Sequence, residues 1–385
     1  MHFSARTDLP PNPIVELSDR ISQISAKSKN FIALQQGEMA FETPKEITNA
    51  AYQAAKDGFT RYAPALGFLD LRIAIANKLK TENGIDCDSQ NEILVTEGST
   101  EALFVALGAL LEAGDEAILL DPSYAPYDSA VRATGATPIH IPSIEKDDWL
   151  PSVQAIEKAV NSKTRLFLVN TPNNPTGEVY SPQYLKELCA LALRHNITVL
   201  SDEAYEALLY DGQTHVSPGA MNEFKDICVS AFSFSKTYAM TGWRLGYLQG
   251  PAEFIRRASV IHNLALAHVS SPVQMAGLEA LRLPKSVVRK FVDVLDRRKK
   301  LLVEELNKNP KIRCRYPKGT FYAFPDFSET KRSSLQLADR FLEAGVGTSP
   351  GAFFGSCADG NMRLCFATVN EEQIVEAVRR ISNSL

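Results

Sequence analysis

Short apolar runs alternate with longer stretches of helical periodicity over about residues 43–251 of this 385-residue chain. Most of these runs are β-branched or leucine-rich on both faces, which is typical of parallel strands that are covered by helices on two sides. The predicted strands are Glu92–Thr96, Glu116–Leu120, Thr137–Ile141, Arg165–Asn170, Ile197–Ser201, Ile227–Phe232 and Leu245–Leu248. The pattern predicts an α/β fold with a mainly parallel seven-stranded sheet, whose ligands collect beyond the carboxyl ends of the strands.

The rest of the chain predicts a smaller α+β lobe. A helix over Val273–Leu283 is interrupted by Pro284, and a second amphipathic helix follows over Val287–Asn307, so this segment is placed to hinge two lobes. Strand candidates in the last part of the chain are Ile312–Tyr316, Thr320–Phe324 and Met362–Phe366. We expect a large domain over residues 45–283, a small domain from residues 14–44 and 284–385, and an extended arm over residues 1–13.

Composition excludes several classes of partner. The net charge is -4 and no block of lysine and arginine marks a nucleic-acid surface, so a nucleic-acid partner is not expected. The longest apolar run, Ala102–Leu111, is too short to span a bilayer and predicts a buried helix, and the start of the chain lacks a secretory signal. The six cysteines form no C-x-x-C pair and the six histidines no H-x-x-x-H pair, so we expect free thiols in a reducing cytoplasm and no metal site.

A lysine follows the predicted strand Ile227–Phe232, in the run Ser233-Phe234-Ser235-Lys236, and Arg244 lies eight positions further on. A desolvated lysine amine is a nucleophile toward aldehydes, and nearby hydroxyl and guanidinium groups suit a phosphate. Pyridoxal phosphate carries both an aldehyde and a phosphate. An exposed loop lysine is the alternative interpretation, and the fifteen-residue run from Ser233 to Tyr247 argues against it.

Polar residues also follow two other predicted strands. Asp202 ends one of them, and a buried carboxylate there needs a cation. A pyridinium nitrogen would serve, and the carboxylate would keep it protonated, which strengthens the cofactor as an electron sink. Tyr205 and Asn174 are placed to reach a ring hydroxyl oxygen, since prolines stiffen the turn that carries Asn174. The alternatives are a helix-capping aspartate and an ordinary Asn-Pro turn.

Four further residues carry candidate binding groups. Ser99 and Thr100 open a predicted helix whose free amides bind phosphate, or they are plain helix caps. Tyr124 follows a strand and either stacks on a flat cofactor or packs in the core. Arg363 lies in an apolar strand and needs an anion, which is either a substrate carboxylate that matches its planar fork or an internal salt bridge.

Taken in order, these blocks resemble the class I aminotransferases of fold type I, in the branch of bacterial aspartate and aromatic aminotransferases. The resemblance runs from Leu34-Gln35-Gln36-Gly37-Glu38 to Arg363, and its most specific motifs are Asn-Pro-Thr-Gly at residues 174–177 and Ser-x-Ser-Lys at residues 233–236. It implies a pyridoxal-phosphate-dependent aminotransferase that moves an amino group from an L-amino acid to a 2-oxo acid. The internal aldimine would form on Lys236, whose amine would then shuttle the substrate proton.

The resemblance also implies the roles of single residues and a homodimer with shared active sites. Lys236, Asp202 and Tyr205 are the implied catalytic residues. The implied cofactor-binding residues are Ser99, Thr100, Tyr124, Asn174, Asp202, Tyr205, Ser233, Lys236, Arg244 and, reaching the phosphate of the neighbouring subunit, Tyr62. The implied substrate-binding residues are Gly37, Asn174 and Arg363, with Arg363 on the α-carboxylate.

Two positions depart from the family pattern. Glu101 stands where aspartate aminotransferases of this branch typically carry a lysine for the distal substrate carboxylate, and Pro13 stands about where a hydroxyl residue is usual. Because like charges repel, Glu101 predicts a donor with a neutral or cationic side chain rather than an acidic one. Two other functions stay open: a pyridoxal-phosphate enzyme of the same fold that catalyses elimination, replacement or oxidation, and a non-catalytic sensor domain that binds the cofactor.

Overall fold

A computed structural model describes residues 12–25 and 30–385, together with Met1, Asp8 and Leu9. The predicted arm over residues 1–13 therefore lies mostly outside the described residues, and its last residue, Pro13, is also the first residue of the first helix. No helix within the described residues is long and apolar enough to cross a membrane.

The strands and helices of the described chain alternate over most of its length, as the hydrophobic pattern predicts. The strands are β1 (Ile32–Ala33), β2 (Ile93–Thr96), β3 (Glu116–Asp121), β4 (Thr137–Pro142), β5 (Thr164–Asn170), β6 (Thr198–Asp202), β7 (Cys228–Ser233), β8 (Gly246–Gln249), β9 (Tyr322–Ala323), β10 (Val346–Gly347), β11 (Ser349–Pro350) and β12 (Met362–Cys365). The α-helices are α1 (Pro13–Ser25), α2 (Lys45–Lys56), α3 (Leu69–Lys78), α4 (Gly98–Leu110), α5 (Pro126–Ala133), α6 (Val153–Ala159), α7 (Pro182–Arg194), α8 (Phe234–Thr237), α9 (Ala252–Ala265), α10 (Ser271–Arg282), α11 (Ser286–Leu306), α12 (Ser334–Glu343) and α13 (Glu371–Asn383).

The large sheet has the strand order β2-β8-β7-β6-β5-β3-β4. Its strands pair in parallel except at β8, which is antiparallel to both β2 and β7. Each end of the seven predicted strands lies within one residue of the observed end. The prediction of a mainly parallel, seven-stranded α/β sheet is therefore confirmed.

Three neighbouring strands of this sheet end in polar residues at the same edge. β5 ends at Asn170, β6 at Asp202 and β7 at Ser233, and the register pairs Asn170 with Asp202 across the two strands. Because these strands are parallel, their carboxyl ends lie side by side. The edge that they form carries the candidate site.

The smaller sheets are built from β1 with β10 and from β11, β12 and β9. Two of the three strand candidates in this region are confirmed in shortened form as β9 and β12, but the strand predicted over Ile312–Tyr316 is wrong. The side chain of Asn307 bonds both backbone groups of Cys314, and the segment makes only an isolated bridge between Arg313 and Asp326. These side-chain bonds replace the partners that a strand ladder would have supplied.

A separate hydrophobic cluster joins these smaller sheets to α11, α12 and α13. It contains Leu302, Phe321 and Phe341, and it extends to Tyr205 and Leu208, which follow the end of β6. The helix break at Pro284 is also observed, between α10 and α11. Tyr205 therefore follows a strand of the large sheet and packs in the cluster of the smaller sheets.

His140 on β4 lies between two carboxylates. Its Nδ1 is 2.8 Å from Asp121 Oδ2, and its Nε2 is 2.9 Å from Asp128 Oδ2. The hydrogen bond with Asp121 raises the pKa of His140 to about 9, against the opposing effect of partial burial. The charged imidazole therefore joins β4 to the end of β3 and to α5.

We expect this contact to give a pH-dependent stability. Because the pKa of His140 is higher in the folded than in the unfolded chain, its contribution is fully present below about pH 6.5 and is lost as the pH rises through about 9. The difference in Tm between wild type and His140→Gln should be largest near pH 6 and should shrink above pH 9. The exposed His195→Gln is the control, and a difference that does not change with pH would contradict the assignment.

Candidate active site

A cavity of about 170 Å³ lies at the carboxyl ends of β5, β6 and β7. Most of the predicted site residues line it: Gly37, Ser99, Thr100, Tyr124, Asn174, Asp202, Tyr205, Ser233, Lys236, Arg244 and Arg363. Tyr62 does not line it; its side chain is 92% exposed and its ring contacts His268. The predicted role of Tyr62 concerns a neighbouring subunit and stays a prediction.

Lys236 lies on the short helix α8, whose first turn is capped by the hydroxyl of Ser233. Its Nζ donates a hydrogen bond to the carbonyl oxygen of Gly37 at 2.7 Å. Burial is the main cause that lowers the pKa of Lys236 to about 8, and the positive charge of Arg244 acts in the same direction. Roughly a tenth of the amine is therefore unprotonated at pH 7, far more than for an ordinary lysine, and only the unprotonated amine is a nucleophile toward an aldehyde.

Asp202 presents a buried carboxylate at the end of β6. Its Oδ2 accepts a hydrogen bond from the Tyr127 hydroxyl at 2.6 Å, and its Oδ1 accepts one from the backbone N–H of Ala204 at 3.1 Å. Burial raises the pKa of Asp202 to about 6 in spite of the bond from Tyr127. Since no basic side chain of the described residues forms an ion pair with it, the carboxylate is suited to a cationic ring nitrogen.

Two residues around Asp202 were not predicted from the sequence. Tyr127 holds the carboxylate directly, and Asn170 donates to the backbone oxygen of Asp202 at 3.0 Å while it accepts the N–H of Asn174 at 2.8 Å. The signal for Tyr127 was a second tyrosine in the same proline-rich turn as Tyr124. Asn170 ties the ends of two strands to the turn that carries Asn174.

The N-terminus of α4 faces Arg244 at very close range. A Cβ atom on Gly98, whose φ is +74°, would lie 2.6 Å from Arg244 Nη2, and one on Gly246 would lie 2.8 Å from the backbone nitrogen of Ser99. The side chain of Glu97, the residue before α4, does not cap the helix. The start of α4, the hydroxyl groups of Ser99 and Thr100 and the guanidinium of Arg244 are therefore suited to an anion.

Arg363 on β12 is buried, with 2% of its surface exposed. Its Nη1 donates to Asn174 Oδ1 at 3.0 Å and its Nη2 to the carbonyl oxygen of Gln35 at 2.7 Å, while its Nε has no partner in the described chain. None of the described carboxylates forms a salt bridge with it, so the alternative of an internal salt bridge is wrong. A buried guanidinium with an unpaired N–H fits a substrate carboxylate.

Glu101 does not line the cavity. Its Oε1 is 2.8 Å from His262 Nδ1, and its Oε2 accepts the backbone N–H of Glu97, so the side chain folds back over the open end of α4. Thr100, on the same turn, lines the cavity instead. The expectation that Glu101 faces the substrate is wrong, and the repulsion argument against acidic donors loses its basis.

Glu203, Glu206 and His215 lie close enough together to hold a metal ion. Their groups are already engaged within the protein, because His215 Nε2 is 2.6 Å from Glu203 Oε2 and Glu206 pairs with Lys78. We therefore interpret this group as a cluster of internal pairs that follows the end of β6.

The charged groups of the cavity match the parts of pyridoxal phosphate and an amino acid. Arg244 and the start of α4 suit the phosphate, Lys236 the aldehyde, and Asp202 the ring nitrogen. Arg363, with its unpaired Nε, remains for the substrate carboxylate. The residues therefore fit this cofactor, since the phosphate, the ring nitrogen and the substrate carboxylate each have a counterpart of opposite charge.

Known proteins show the same fold and similar sequences. Residues 29–381 match the family described as aminotransferase class I and II. The chain is 36% identical over 384 residues to the probable aspartate/prephenate aminotransferase of Aquifex aeolicus, covering 98% of this chain and 96% of that protein. It is 34% identical over 388 residues to aromatic-amino-acid aminotransferase 2 of Thermococcus litoralis, covering 96% and 98%. The structure of the Thermus thermophilus aspartate aminotransferase with maleate matches at a TM-score of 0.94 and 34% identity, over 100% of both chains.

The fold and the cavity thus define a pyridoxal-phosphate-dependent enzyme of fold type I. The chain belongs to the class I and II aminotransferases. It is a transferase that catalyses transamination, as the sequence predicted. The relatives give no support to the alternatives of elimination, replacement, oxidation or a non-catalytic sensor.

Proposed function

We propose that Lys236, Asp202, Arg244 and Arg363 form the working site of this aminotransferase. The observation that carries the proposal is that these four charged groups, which come from three separate segments of the chain, line a single cavity. Arg244 complements a phosphate, Arg363 a substrate carboxylate and Asp202 a cationic ring. Lys236 supplies the amine for the aldehyde. Pyridoxal phosphate, when bound, supplies the electron sink for charge that develops at the substrate Cα.

Lys236 holds the cofactor covalently in the resting enzyme and moves the substrate proton during the reaction. Its lowered pKa of about 8 places the amine near the pH of the cytoplasm, where a general acid/base is most effective. Asp202 keeps the ring nitrogen protonated, and Tyr127 and the N–H of Ala204 fix the direction of its carboxylate. Proton transfer at Cα is therefore assigned to Lys236.

The neutral residues of the cavity orient the cofactor. Tyr124 lies against its ring, Asn174 and Tyr205 donate to its ring oxygen, and Ser99, Thr100 and Ser233 join Arg244 on the phosphate. The support for this assignment is that each side chain lines the same cavity. Arg363 binds the α-carboxylate of the amino acid, beside Gly37 and Asn174.

Replacing Arg363 by lysine should lower kcat/KM about 10²-fold for every amino-acid substrate alike. Lysine keeps the charge but loses the two-pronged donor, the bond to Asn174 and the stacking of the planar group. Steady-state kinetics with several donors measures this, and Arg297→Lys at an exposed site is the control. A loss confined to one donor would place Arg363 at the side-chain end of the substrate.

We propose that the preferred amino donor has an uncharged side chain. Among the described residues that line the cavity, the cations are Lys236, Arg244 and Arg363, and each already has an assigned anion or bond. The lining residues without an assigned role include Ile14 and Leu103, which are apolar. A second substrate carboxylate would therefore lose water without gaining a cationic partner from this chain.

Kinetics with aspartate and phenylalanine tests this preference. We expect kcat/KM to be at least about tenfold higher for phenylalanine, because burying an unpaired carboxylate is costly. Glu101→Gln should leave the ratio of the two values within about twofold, since Glu101 contacts His262 rather than the cavity. A preference for aspartate would contradict the proposal, and a ratio that changes with Glu101→Gln would return Glu101 to the substrate.

We propose a homodimer with shared active sites. Three large apolar side chains of α4 and α9 are exposed in the single chain, Phe104 at 50%, Val260 at 55% and Leu264 at 85%, and Tyr62 is exposed as well. Burial of such an apolar patch against a second subunit is favourable. Light scattering of the purified protein tests this state.

We also propose the domain division at residues 45–283 and 284–385, with residues 14–44 in the small domain and residues 1–13 as the arm. The break between α10 and α11 and the separate hydrophobic cluster of the small sheets support it. The protein is proposed to act in the cytoplasm, since its six cysteines are free thiols. Limited proteolysis near Pro284 tests the boundary.

A further inference from the structure

Tyr322 lies where two groups of the proposed site meet. It is the first residue of β9, only 1% of its surface is exposed, and it lines the cavity. Its hydroxyl oxygen is 3.0 Å from that of Tyr205, and its ring centroid is 4.3 Å from the guanidinium carbon of Arg363. One side chain thus contacts both the proposed donor to the ring oxygen and the proposed carboxylate-binding residue.

We propose that Tyr322 is a positioning residue with two separable functions. Its hydroxyl donates to Tyr205 and thereby directs the Tyr205 O–H toward the ring oxygen of the cofactor, and its ring holds the Arg363 guanidinium in the orientation that receives the α-carboxylate. The inference rests on the proposed roles of Tyr205 and Arg363.

The packing around Tyr205 fixes the position of its ring but not the direction of its hydroxyl hydrogen. The ring of Tyr205 stands edge-on to the rings of Phe321, at 5.5 Å, and of Tyr322, at 5.8 Å. Burial raises the pKa of Tyr205 well above its usual value and that of Tyr322 to about 12, so both phenols keep their protons near neutral pH. Two phenols in contact offer one mutual hydrogen bond, and either can donate.

An anionic acceptor beyond Tyr205 selects the direction of that bond. When the ring oxygen accepts from Tyr205, the oxygen of Tyr205 is free to accept from Tyr322. Two hydrogen bonds in series polarise each other, so the second donor strengthens the first. The hydroxyl of Tyr322 therefore acts on the ring oxygen of the cofactor through Tyr205.

Gly37 allows the hydroxyl of Tyr322 to lie in this place. A Cβ atom on Gly37 would be 2.1 Å from the Tyr322 hydroxyl oxygen, so only glycine permits this approach. The carbonyl oxygen of Gly37 also accepts the Lys236 amine. The position of the Tyr322 hydroxyl is therefore fixed by backbone on one side and by Tyr205 on the other.

The second function follows from the surroundings of Arg363. Tyr322 lies 4.3 Å from its guanidinium carbon and Phe354 lies 4.9 Å from it. The two bonds to Asn174 and Gln35 hold the guanidinium at two of its nitrogens, and Nε is left without a partner in the described chain. The aromatic contacts fix the tilt of the guanidinium plane, which the two hydrogen bonds leave open. This tilt decides whether the guanidinium meets a carboxylate edge-on.

Four variants separate the two functions: Tyr205→Phe, Tyr322→Phe, the double variant and Tyr322→Leu. The first readout is the pH midpoint of the absorbance change of the cofactor-loaded protein without substrate, which reports proton loss from the Lys236 nitrogen. A hydrogen bond to the ring oxygen withdraws electron density from the cofactor, so its loss raises the midpoint. The second readout is the affinity for 3-phenylpropanoate, a carboxylate without an amine, measured from its effect on the same spectrum. Tyr316→Phe, at a 49% exposed residue, is the control.

We expect Tyr205→Phe to raise the midpoint by about 1 pH unit, the equivalent of one hydrogen bond. Tyr322→Phe should raise it by roughly 0.3 unit, because only the reinforcement is lost. The double variant should match Tyr205→Phe alone, since Tyr322 acts through Tyr205. Tyr322→Phe keeps the ring and should bind 3-phenylpropanoate within about twofold of wild type, whereas Tyr322→Leu should lose about tenfold.

Each contrary result has a separate meaning. If Tyr205→Phe raises the midpoint and Tyr322→Phe does not, the inference about the hydroxyl is overturned while the proposed role of Tyr205 stands. A shift from Tyr322→Phe that persists in the double variant also overturns the inference about the hydroxyl. If Tyr205→Phe has no effect either, the proposed role of Tyr205 fails. Undiminished 3-phenylpropanoate binding by Tyr322→Leu overturns the inference about the ring, and if this variant does not fold, Tyr322→Phe still decides the first function.

Discussion

Lys236→Ala is expected to lower kcat by about 10⁴-fold or more, because the variant loses both the covalent anchor and the group that moves the substrate proton. The amine is well placed for both functions. It lies in the cavity, contacts the Gly37 carbonyl oxygen and has its pKa lowered to about 8 mainly by burial. Rapid mixing of the cofactor-loaded variant with an amino acid, followed by absorbance, measures the rate of the first half-reaction.

The exposed Lys290→Ala is the matched control for this experiment, and it should react at the wild-type rate. Lys236→Ala should still bind the cofactor through Arg244, the start of α4 and Asp202, but without a covalent bond. If Lys236→Ala retained a tenth of the wild-type rate with the cofactor saturated, the assignment of proton transfer to Lys236 would be wrong.

Asp202→Asn is expected to lower kcat by about 10²- to 10³-fold while the fold is kept. The amide has the shape of the carboxylate but not its charge, so the ring nitrogen is no longer held protonated and the electron sink is weaker. Tyr127→Phe is the matched comparison, since it removes the 2.6 Å bond to Asp202 and leaves the charge. We expect Tyr127→Phe to cost only about fivefold, the equivalent of one hydrogen bond.

A comparison of wild type with Asp202→Asn also gives a pH test. Because the pKa of Asp202 is raised to about 6, the carboxyl takes up a proton as the pH falls through about 6 and can no longer pair with a cationic nitrogen. The affinity of the cofactor-free wild type for pyridoxal phosphate should therefore fall below about pH 6 more steeply than that of Asp202→Asn, which keeps only the dependence due to protonation of the phosphate. Equal pH profiles, or near-normal turnover of Asp202→Asn, would remove Asp202 from its proposed role.

The hydrophobic pattern was sufficient for the large sheet because its strands are covered on both sides and therefore apolar throughout. The same rule failed at Ile312–Tyr316, where the apolar residues pack into the small-lobe core while Asn307 satisfies the backbone of Cys314. The hydrophobic pattern reports burial, and a buried segment becomes a strand only if backbone partners are available.

The candidate site was predictable where a residue ends a strand. Asn170, Asp202 and Ser233 close three adjacent parallel strands, so the position of Asp202 and of the lysine after Ser233 follows from the order of the chain and the geometry of parallel sheets. Arg363 was found because an arginine inside an apolar strand needs an anion.

The parts that the sequence did not predict depend on side-chain direction and on contacts between remote segments. Glu101 lies one residue from Thr100, yet its side chain turns to His262, which lies far away in sequence on α9. Tyr322 was not singled out in the sequence, because its partners Tyr205 and Arg363 are brought to it only by the folded chain. One sequence contains no signal for such contacts.

Borohydride reduction of the cofactor-loaded protein, followed by peptide mapping, tests the central claim most directly, namely that the cavity at the ends of β5, β6 and β7 is the catalytic site. Reduction makes the link between the cofactor and its lysine permanent, so the modified residue is identified by mass. The account predicts a pyridoxyl group on Lys236 and on no other lysine. A pyridoxyl group on a different lysine, such as the buried Lys299, with Lys236 unmodified, would contradict it.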